Sequence, residues 1–267
     1  KNLLQRKKRK TMNDLQKRAK SRIYFASDFH LGMPDVAASI ERERRIVGWL
    51  ESIEKDAKEV FLLGDIFDFW FEYRDVVPKG YVRLLGKLAM MADNACKIHF
   101  VCGNHDLWIR DYFEKELGFI VHKENFETII DGKTFLIGHG DGLDSSDKKY
   151  KFINSLFKNR LCVSAFAALH PRWAYAIGKT WSKKSRLSHS ESDKINRCEQ
   201  ESIYKYCMTE LDKRNIDFFV FGHRHLKCNI PLKNGSCYIN TGFWATESPY
   251  VEWDGENLNL KNFDLAE

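Results

Sequence analysis

Short apolar runs rich in β-type residues alternate along this chain with longer stretches of helical periodicity. Residues 23–27, 59–63 and 97–102 read as strands. Between 36 and 57, Ile40, Ile46, Val47, Leu50 and Ile53 recur near helical spacing with charges between them, and 81–92 repeats the pattern. Residues 110–117 predict a short helix. Residues 126–130 and 134–137, parted by Asp131-Gly132, predict a hairpin. The rhythm then changes. Tyr150, Phe152, Ile153, Leu156 and Phe157 form one amphipathic stripe, and Ile195, Cys198, Ile203, Tyr206, Cys207 and Leu211 form another. Together they predict a helical insertion over about 144–212. A buried strand at 217–221 and a β-rich end at 237–240 and 250–253 close the chain.

Five polar segments interrupt the apolar runs: Asp28-Phe29-His30, Gly64-Asp65, Gly103-Asn104-His105-Asp106, Gly138-His139-Gly140 and Gly222-His223-Arg224-His225. One such segment predicts only a turn. Five in order, carrying Asp28, His30, Asp65, Asn104, His139, His223 and His225, predict a two-metal site. Asp28, Asp65, Asn104 and His139 follow one another at 37, 39 and 35 residues, and His223 comes 84 later. Regular steps suit strand–helix–strand units with ligands on loops beyond the strand ends, and the long step accommodates the insertion.

Composition refines this picture. A chain of 267 residues with 43% hydrophobic residues can build one large α/β domain. The seven Cys form no C-x-x-C pair, so reduced core thiols and a cytosolic compartment are the expectation. Of 43 Lys/Arg and 37 Asp/Glu, residues 1–20 hold nine and one, leaving a body of 34 and 36. The chain reads as a near-neutral domain, 21–267, behind a basic leader, 1–20. That leader lacks the apolar stretch of a secretory signal, and its Arg6-Lys7-Lys8-Arg9-Lys10 run suits anionic surfaces or plain solvation. No nucleic acid partner is expected, because the body carries no basic stripe interleaved with aromatics.

Mixed carboxylate, imidazole and amide ligands suit two divalent ions such as Mn²⁺, with Fe²⁺ or Zn²⁺ as alternatives, better than a Ca²⁺ cage or a Cys-based zinc site. A carboxylate can bridge two ions, and Asp65 is placed to do so. Such a pair, about 3.5–4 Å apart, can activate water and clamp a phosphoryl group. His105 is a candidate to stabilise the transition state or protonate the leaving oxygen, with Asp106 orienting its ring. His99 and His122 read as ordinary histidines, His170 as a turn residue, and Asp68 and Asp141 as partners of the ligands. The aromatic run 67–71 reads as core, or as a pocket wall.

The ordered pattern D-x-H, GD, GNH[DE], Gly-flanked His and GHxH resembles that of the calcineurin-like metallophosphoesterases. The resemblance implies two stacked mixed β-sheets flanked by helices, here with a helical lid insertion. It also implies one metal on Asp28, His30, Asp65 and His225 and the other on Asp65, Asn104, His139 and His223. Within that superfamily the chain is similar to the bacterial UDP-2,3-diacylglucosamine diphosphatases of lipid A biosynthesis. The similarity rests on residues 64–70, on 139–147 followed by Tyr150, on the helical insertion with Trp181-Ser182-Lys183-Lys184-Ser185, and on 242–247. It implies a lipid-linked UDP-sugar substrate cut at its pyrophosphate, cytoplasmic placement on the inner face of the membrane, and headgroup contacts from Asp147, Tyr150 and Ser182. Lys183 and Arg186, in the same segment, are further substrate-binding candidates. The chain departs from that group's usual GNRD by carrying GNHD.

The insertion fits such a substrate. Residues 145–190 carry ten Lys/Arg and one acid, Asp147, around an apolar run at 161–169 followed by Trp173, Tyr175, Ile177 and Trp181. His170-Pro171-Arg172 interrupts the run well short of the ~20 apolar residues that span a bilayer. Interleaved apolar and cationic character instead suits an interfacial lid or an acyl-chain pocket, or a lid with a merely solvated basic face.

Overall fold

Strict alternation within each central strand sorts its side chains to two faces, and that sorting builds the layers. In β1 (Arg22–Ala26) Ile23 and Phe25 point one way and Tyr24 and Ala26 the other, and both pairs are buried. The computed structural model describes residues 20–143, 148–192 and 198–264. It forms two mixed sheets. The first runs β11 (Leu258–Asn262), β10 (Pro249–Trp253), β1, β2 (Ala57–Leu62), β3 (Lys97–Val101) and β4 (Ile120–His122). The second runs β5 (Phe126–Ile130), β6 (Lys133–Ile137), β7 (Phe218–Phe221), β9 (Cys237–Thr241) and β8 (Lys227–Pro231). β1 to β4 are mutually parallel, and β6, β7 and β9 are parallel in the second sheet.

Between the sheets lie Phe25, Phe61, Phe135, Ile137, Val220 and Ile239, with the Phe25 and Phe61 rings stacked at 4.9 Å. Outside the first sheet, α1 (Val36–Ile53) and α2 (Val82–Asp93) bury Trp49, Leu50, Leu84 and Leu88 against Val60, Leu62 and Phe100. Outside the second, α7 (Ser202–Leu211) packs Ile203, Cys207 and Leu211 on Leu136, Phe219 and Tyr238. The elements between are α3 (Tyr112–Lys115), α4 (Lys148–Lys158), α5 (Arg160–Ala167) and α6 (Pro171–Ser192).

Several expectations need adjustment. The short helix predicted over 110–117 is confined to α3, whose start is set by Glu72 accepting the backbone N–H groups of Arg110, Asp111 and Tyr112. β4, β8 and β11 carry no strong alternation and were not expected. The thiols are not all reduced. Cys198, just before α7, is bonded to Cys228 in β8, while Cys96, Cys102 and Cys207 are free and buried as expected. Cysteine number and spacing could not reveal a pair that meets only after folding. The basic leader before Lys20 and the candidate Asp147 lie outside the described residues, as do the side chains of Tyr150 and Arg186. No described helix is long and apolar enough to cross a membrane.

Candidate metal centre

All seven predicted ligands sit on loops leaving the carboxyl ends of β1, β2, β3, β6 and β7, and the structure brings them into two adjoining groups. Asp28, His30 and His225 form one group, and Asp65, His139 and His223 the other, with Asn104 beside His139 as its fourth member. Backbone conformation marks the same residues. Asp28, His30, Asp65, His223 and His225 all have positive φ, between 44° and 72°. Each such non-glycine conformation costs on the order of 1–2 kcal/mol and persists only where the surrounding structure imposes it. The flanking glycines have a steric cause. A Cβ on Gly103 would lie 2.5 Å from the Asp65 nitrogen, and one on Gly222 would lie 2.5 Å from Asp28 Oδ2. Only glycine lets these loops approach so closely.

In the second group the donor atoms are oriented. His139 Nδ1 lies 2.7 Å from the Leu63 carbonyl, to which it can only donate. Its Nε2 then faces Asp65 Oδ2 at 3.4 Å, Asn104 Oδ1 at 3.2 Å and His223 Nδ1 at 3.2 Å. In the first group, His30 Nε2 and His225 Nε2 approach to 3.1 Å, and Asp28 Oδ1 lies 3.3 Å from the latter. Asp28 Oδ1 is buried with no hydrogen bond. Converging lone pairs and an orphaned carboxylate oxygen are the chemistry of a cation site, so the residues fit divalent metals. Asp65 Oδ2 stands between the groups, 3.5 Å from His30 Nε2, while Asp65 Oδ1 accepts the His105 N–H at 2.9 Å.

The electrostatics agree. Burial opposes charge on Asp28, yet the adjacent imidazoles of His225 and His30, with His139 beyond them, hold it well below the usual carboxylate range. Asp65 is likewise lowered, with His139 and His105 outweighing burial. His139 is raised well above its ordinary value because Asp65 and Asp28 overcome its burial. The field that draws a proton onto His139 would equally draw a metal cation.

Asp106 does not orient the ring of His105. Its Oδ1 accepts from the nitrogens of Gly103 and Asp65 at 2.8 and 3.2 Å, and its Oδ2 from Ile66 and Phe67 at 2.8 and 3.3 Å. Burial and the Asp65 charge press its pKa upward. Four donors leave neither oxygen a lone pair for a proton, so the carboxylate stays ionised. The His105 ring is held instead by the Asp68 carbonyl and Ser182 Oγ, each 2.9 Å from Nδ1. Nε2 therefore faces the centre, 3.9 Å from Asp65 Oδ2, and burial pushes the pKa of the ring down to about 3. Ser182, expected to contact substrate, is fully buried against His105, whereas Lys183 is exposed.

The remaining candidates fall into place around this core. Asp68 reaches His30 Nδ1 at 3.5 Å, and Asp141 lies on the loop just past His139. His99 bridges His122 and Glu59, and His170 accepts the Arg172 N–H at the start of α6. Within the aromatic run, Phe67 and Trp70 are core, but Phe69 lines an apolar cavity of about 330 Å³ with Trp108, Phe157, Phe166 and Trp181. The Trp181 ring lies 5.9 Å from that of His105. Sequence reasoning missed Arg42, whose buried guanidinium donates to the carbonyls of Phe29, His30 and Met33 and so braces the first ligand loop. A lone Arg on an amphipathic helix carries no signal of that role.

The chain is similar to several known proteins. Residues 21–227 match the family model described as calcineurin-like phosphoesterase. A UDP-2,3-diacylglucosamine hydrolase of Porphyromonas gingivalis is 38% identical over 261 residues, covering 93% of this chain and 100% of the relative. A protein of the same name from Edwardsiella ictaluri is 25% identical, covering 88% and 90%. Among solved structures, the phosphoesterase Yfce of E. coli superposes with a TM-score of 0.41 at 15% identity, covering 89% of this chain and 90% of its own.

Proposed function

The chain belongs to the calcineurin-like phosphoesterase family and is a metal-dependent hydrolase, and on that footing we propose that it cleaves the pyrophosphate of UDP-2,3-diacylglucosamine. The products are UMP and 2,3-diacylglucosamine 1-phosphate. The observation that carries this substrate is the apolar cavity, whose wall residue Trp181 adjoins His105. A phosphoesterase for small polar esters has no use for such a compartment beside its reacting centre, whereas an acylated sugar needs one. The name borne by the Porphyromonas relative supports the same choice.

Asp28, His30, Asp65 and His225 hold one ion in this reading, and Asp65, Asn104, His139 and His223 the other, with Mn²⁺ the preferred metal. The ions supply Lewis acidity, a lowered pKa for bound water and neutralisation of phosphoryl charge. The chain does the rest. Asp106 fixes the loops carrying Asp65 and Asn104 relative to each other through its four N–H bonds. Asp68 and Ser182 hold the His105 ring so that Nε2 meets a phosphoryl or leaving oxygen. Phe69, Phe157 and Phe166 exclude water and receive acyl chains. Each buried CH₂ contributes about 0.8 kcal/mol before ordering costs, so two chains outweigh any single headgroup contact.

The lid also presents Phe152, Leu161 and Trp173 to solvent among its lysines and arginines. That surface suits peripheral contact with an anionic bilayer, from which the substrate would be taken. GNHD in place of GNRD favours one second reading, a phosphoesterase for another nucleotide, phosphodiester or phosphoprotein. A panel with added Mn²⁺ tests the choice: UDP-2,3-diacylglucosamine, its deacylated counterpart, simple phosphomonoesters, cyclic nucleotides and DNA. Strong preference for the acylated compound is expected. Equal efficiency on acylated and deacylated forms would give the second reading precedence.

A further inference from the structure

Helix α4 separates two cavities of opposite character. Leu156 and Phe157 line the apolar cavity, while Lys151, Asn154, Ser155 and Lys158 line a second cavity of about 520 Å³. These four fall at i, i+3, i+4 and i+7, one face of the helix. The rest of the lining includes Lys123, Glu124 and Asn125, from the turn between β4 and β5, together with Asp141 and Cys102. Asp141 is two residues beyond His139, and Cys102 two before Asn104. The polar cavity thus opens beside the same ligand loops as the apolar one. Its volume lies within the range of about 300–1,000 Å³ typical of small-molecule sites.

We infer that this polar cavity receives the nucleotide half of the substrate, with Lys123, Lys151 and Lys158 meeting the phosphate that leaves as UMP. The inference rests on the substrate reading above and deepens it. A lipid-linked nucleotide is amphiphilic, and its scissile pyrophosphate is the junction between its halves. An enzyme that cuts at the junction needs an apolar compartment and a polar one with an excess of cationic groups, and α4 supplies a wall to each, with Glu124 and Asp141 leaving three lysines in excess by one charge. Lysine ammonium groups suit a phosphate that must later leave, since they bind it as mobile point charges. The side-chain amide of Asn154 offers a donor and an acceptor to a pyrimidine edge. Neither Lys123 nor Lys158 contributes to the core, so both can be changed without disturbing the fold.

Isothermal titration of UMP into the Mn²⁺-loaded protein tests the assignment, with inorganic phosphate and glycerol 3-phosphate as comparison ligands. Lys123→Ala and Lys158→Ala should each weaken UMP binding about tenfold. Ser155→Trp, which fills the cavity at unchanged charge, should abolish UMP binding and leave phosphate binding intact. UMP affinity unchanged in all three variants, while wild-type enzyme still releases UMP from UDP-2,3-diacylglucosamine, would overturn the cavity and spare the substrate reading. Glycerol 3-phosphate binding as tightly as UMP would overturn it in favour of an anionic lipid headgroup. Wild-type protein that neither binds UMP nor cuts the lipid nucleotide would remove both readings together.

Discussion

Replacing Asp106 separates a chemical role from an architectural one. The side chain is fully buried, and its two oxygens accept four backbone N–H groups from two different ligand loops. Asp106→Ala leaves all four donors without their partner. Each unmet buried donor costs about 1–3 kcal/mol, and a water entering the vacated volume can recover about two of the four. Two uncompensated donors give a loss of about 2–6 kcal/mol. For a chain of this size each kcal/mol lowers Tm by about 2–4 °C, so a fall of roughly 8–16 °C is expected for a loss near 4 kcal/mol. Asp106→Asn keeps one acceptor oxygen but turns an NH₂ toward two N–H donors, so it should be destabilised nearly as much.

Circular-dichroism melts of both variants, with Mn²⁺ and with chelator, measure the loss. Metal content after dialysis reads the loops directly. Because the carboxylate ties the Asp65 turn to the Asn104 turn, both variants should also bind less than the full complement of metal. Had Asp106 acted by orienting His105, Asp106→Asn would slow turnover while leaving Tm and metal content near wild type. An Asp106→Asn protein that melts within about 2 °C of wild type with full metal would refute the loop-tying account.

Asp65→Asn should release both ions together, since Oδ2 faces both ligand groups; one or more metals per chain after Mn²⁺ reconstitution, by elemental analysis, would contradict bridging. His105→Ala should keep its metals and slow turnover about 10²–10⁴-fold, and unchanged single-turnover rates would remove it from the mechanism. Gly178→Ala drives a Cβ into the Phe69 ring, against Cζ and Cε2 and 2.5 Å from Cε1, so the ring must shift into the apolar cavity or α6 must lift. The strain is about 1–3 kcal/mol, and KM for the acylated substrate should rise more than kcat falls.

Much of this architecture was legible because its signals are local. Alternation in β1, β2 and β3 reports two packed faces, and each run ends in a polar turn, those after β2 and β3 carrying a glycine that permits a close loop approach. Seven ligand candidates could be picked out because carboxylate, amide and imidazole groups rarely interrupt buried strands without a reason. β4, β8 and β11 escaped notice because edge strands are short and partly exposed, and pairing with a neighbour settles them. The Cys198–Cys228 bond escaped because its partners lie on elements that meet only after the second sheet forms.

What sequence could not reach was which partner a polar group would find. Asp106 follows His105 in the chain, so a bond to that ring was the natural expectation; the backbone of the 65–67 turn competes for the same oxygens and wins with three donors, joined by the N–H of Gly103. Ser182 lies on a basic, amphipathic helix, where the resemblance implied a contact with the substrate headgroup. Only the docking of α6 over Phe69, through Gly178 and the Tyr175 hydroxyl bonded to the Phe71 carbonyl, carries it inward to His105. The polar face of α4 poses the same ambiguity. A stripe at 151, 154, 155 and 158 is equally satisfied by bulk water or by a walled cavity, because both solvate its groups. The deciding wall, Lys123, Glu124 and Asn125, comes from a turn at the first sheet's far edge, while α4 itself is held to the loop after β3 by Trp108 donating to the Phe157 carbonyl. Periodicity therefore identifies which residues share a face, and tertiary packing alone decides whether that face meets solvent or substrate.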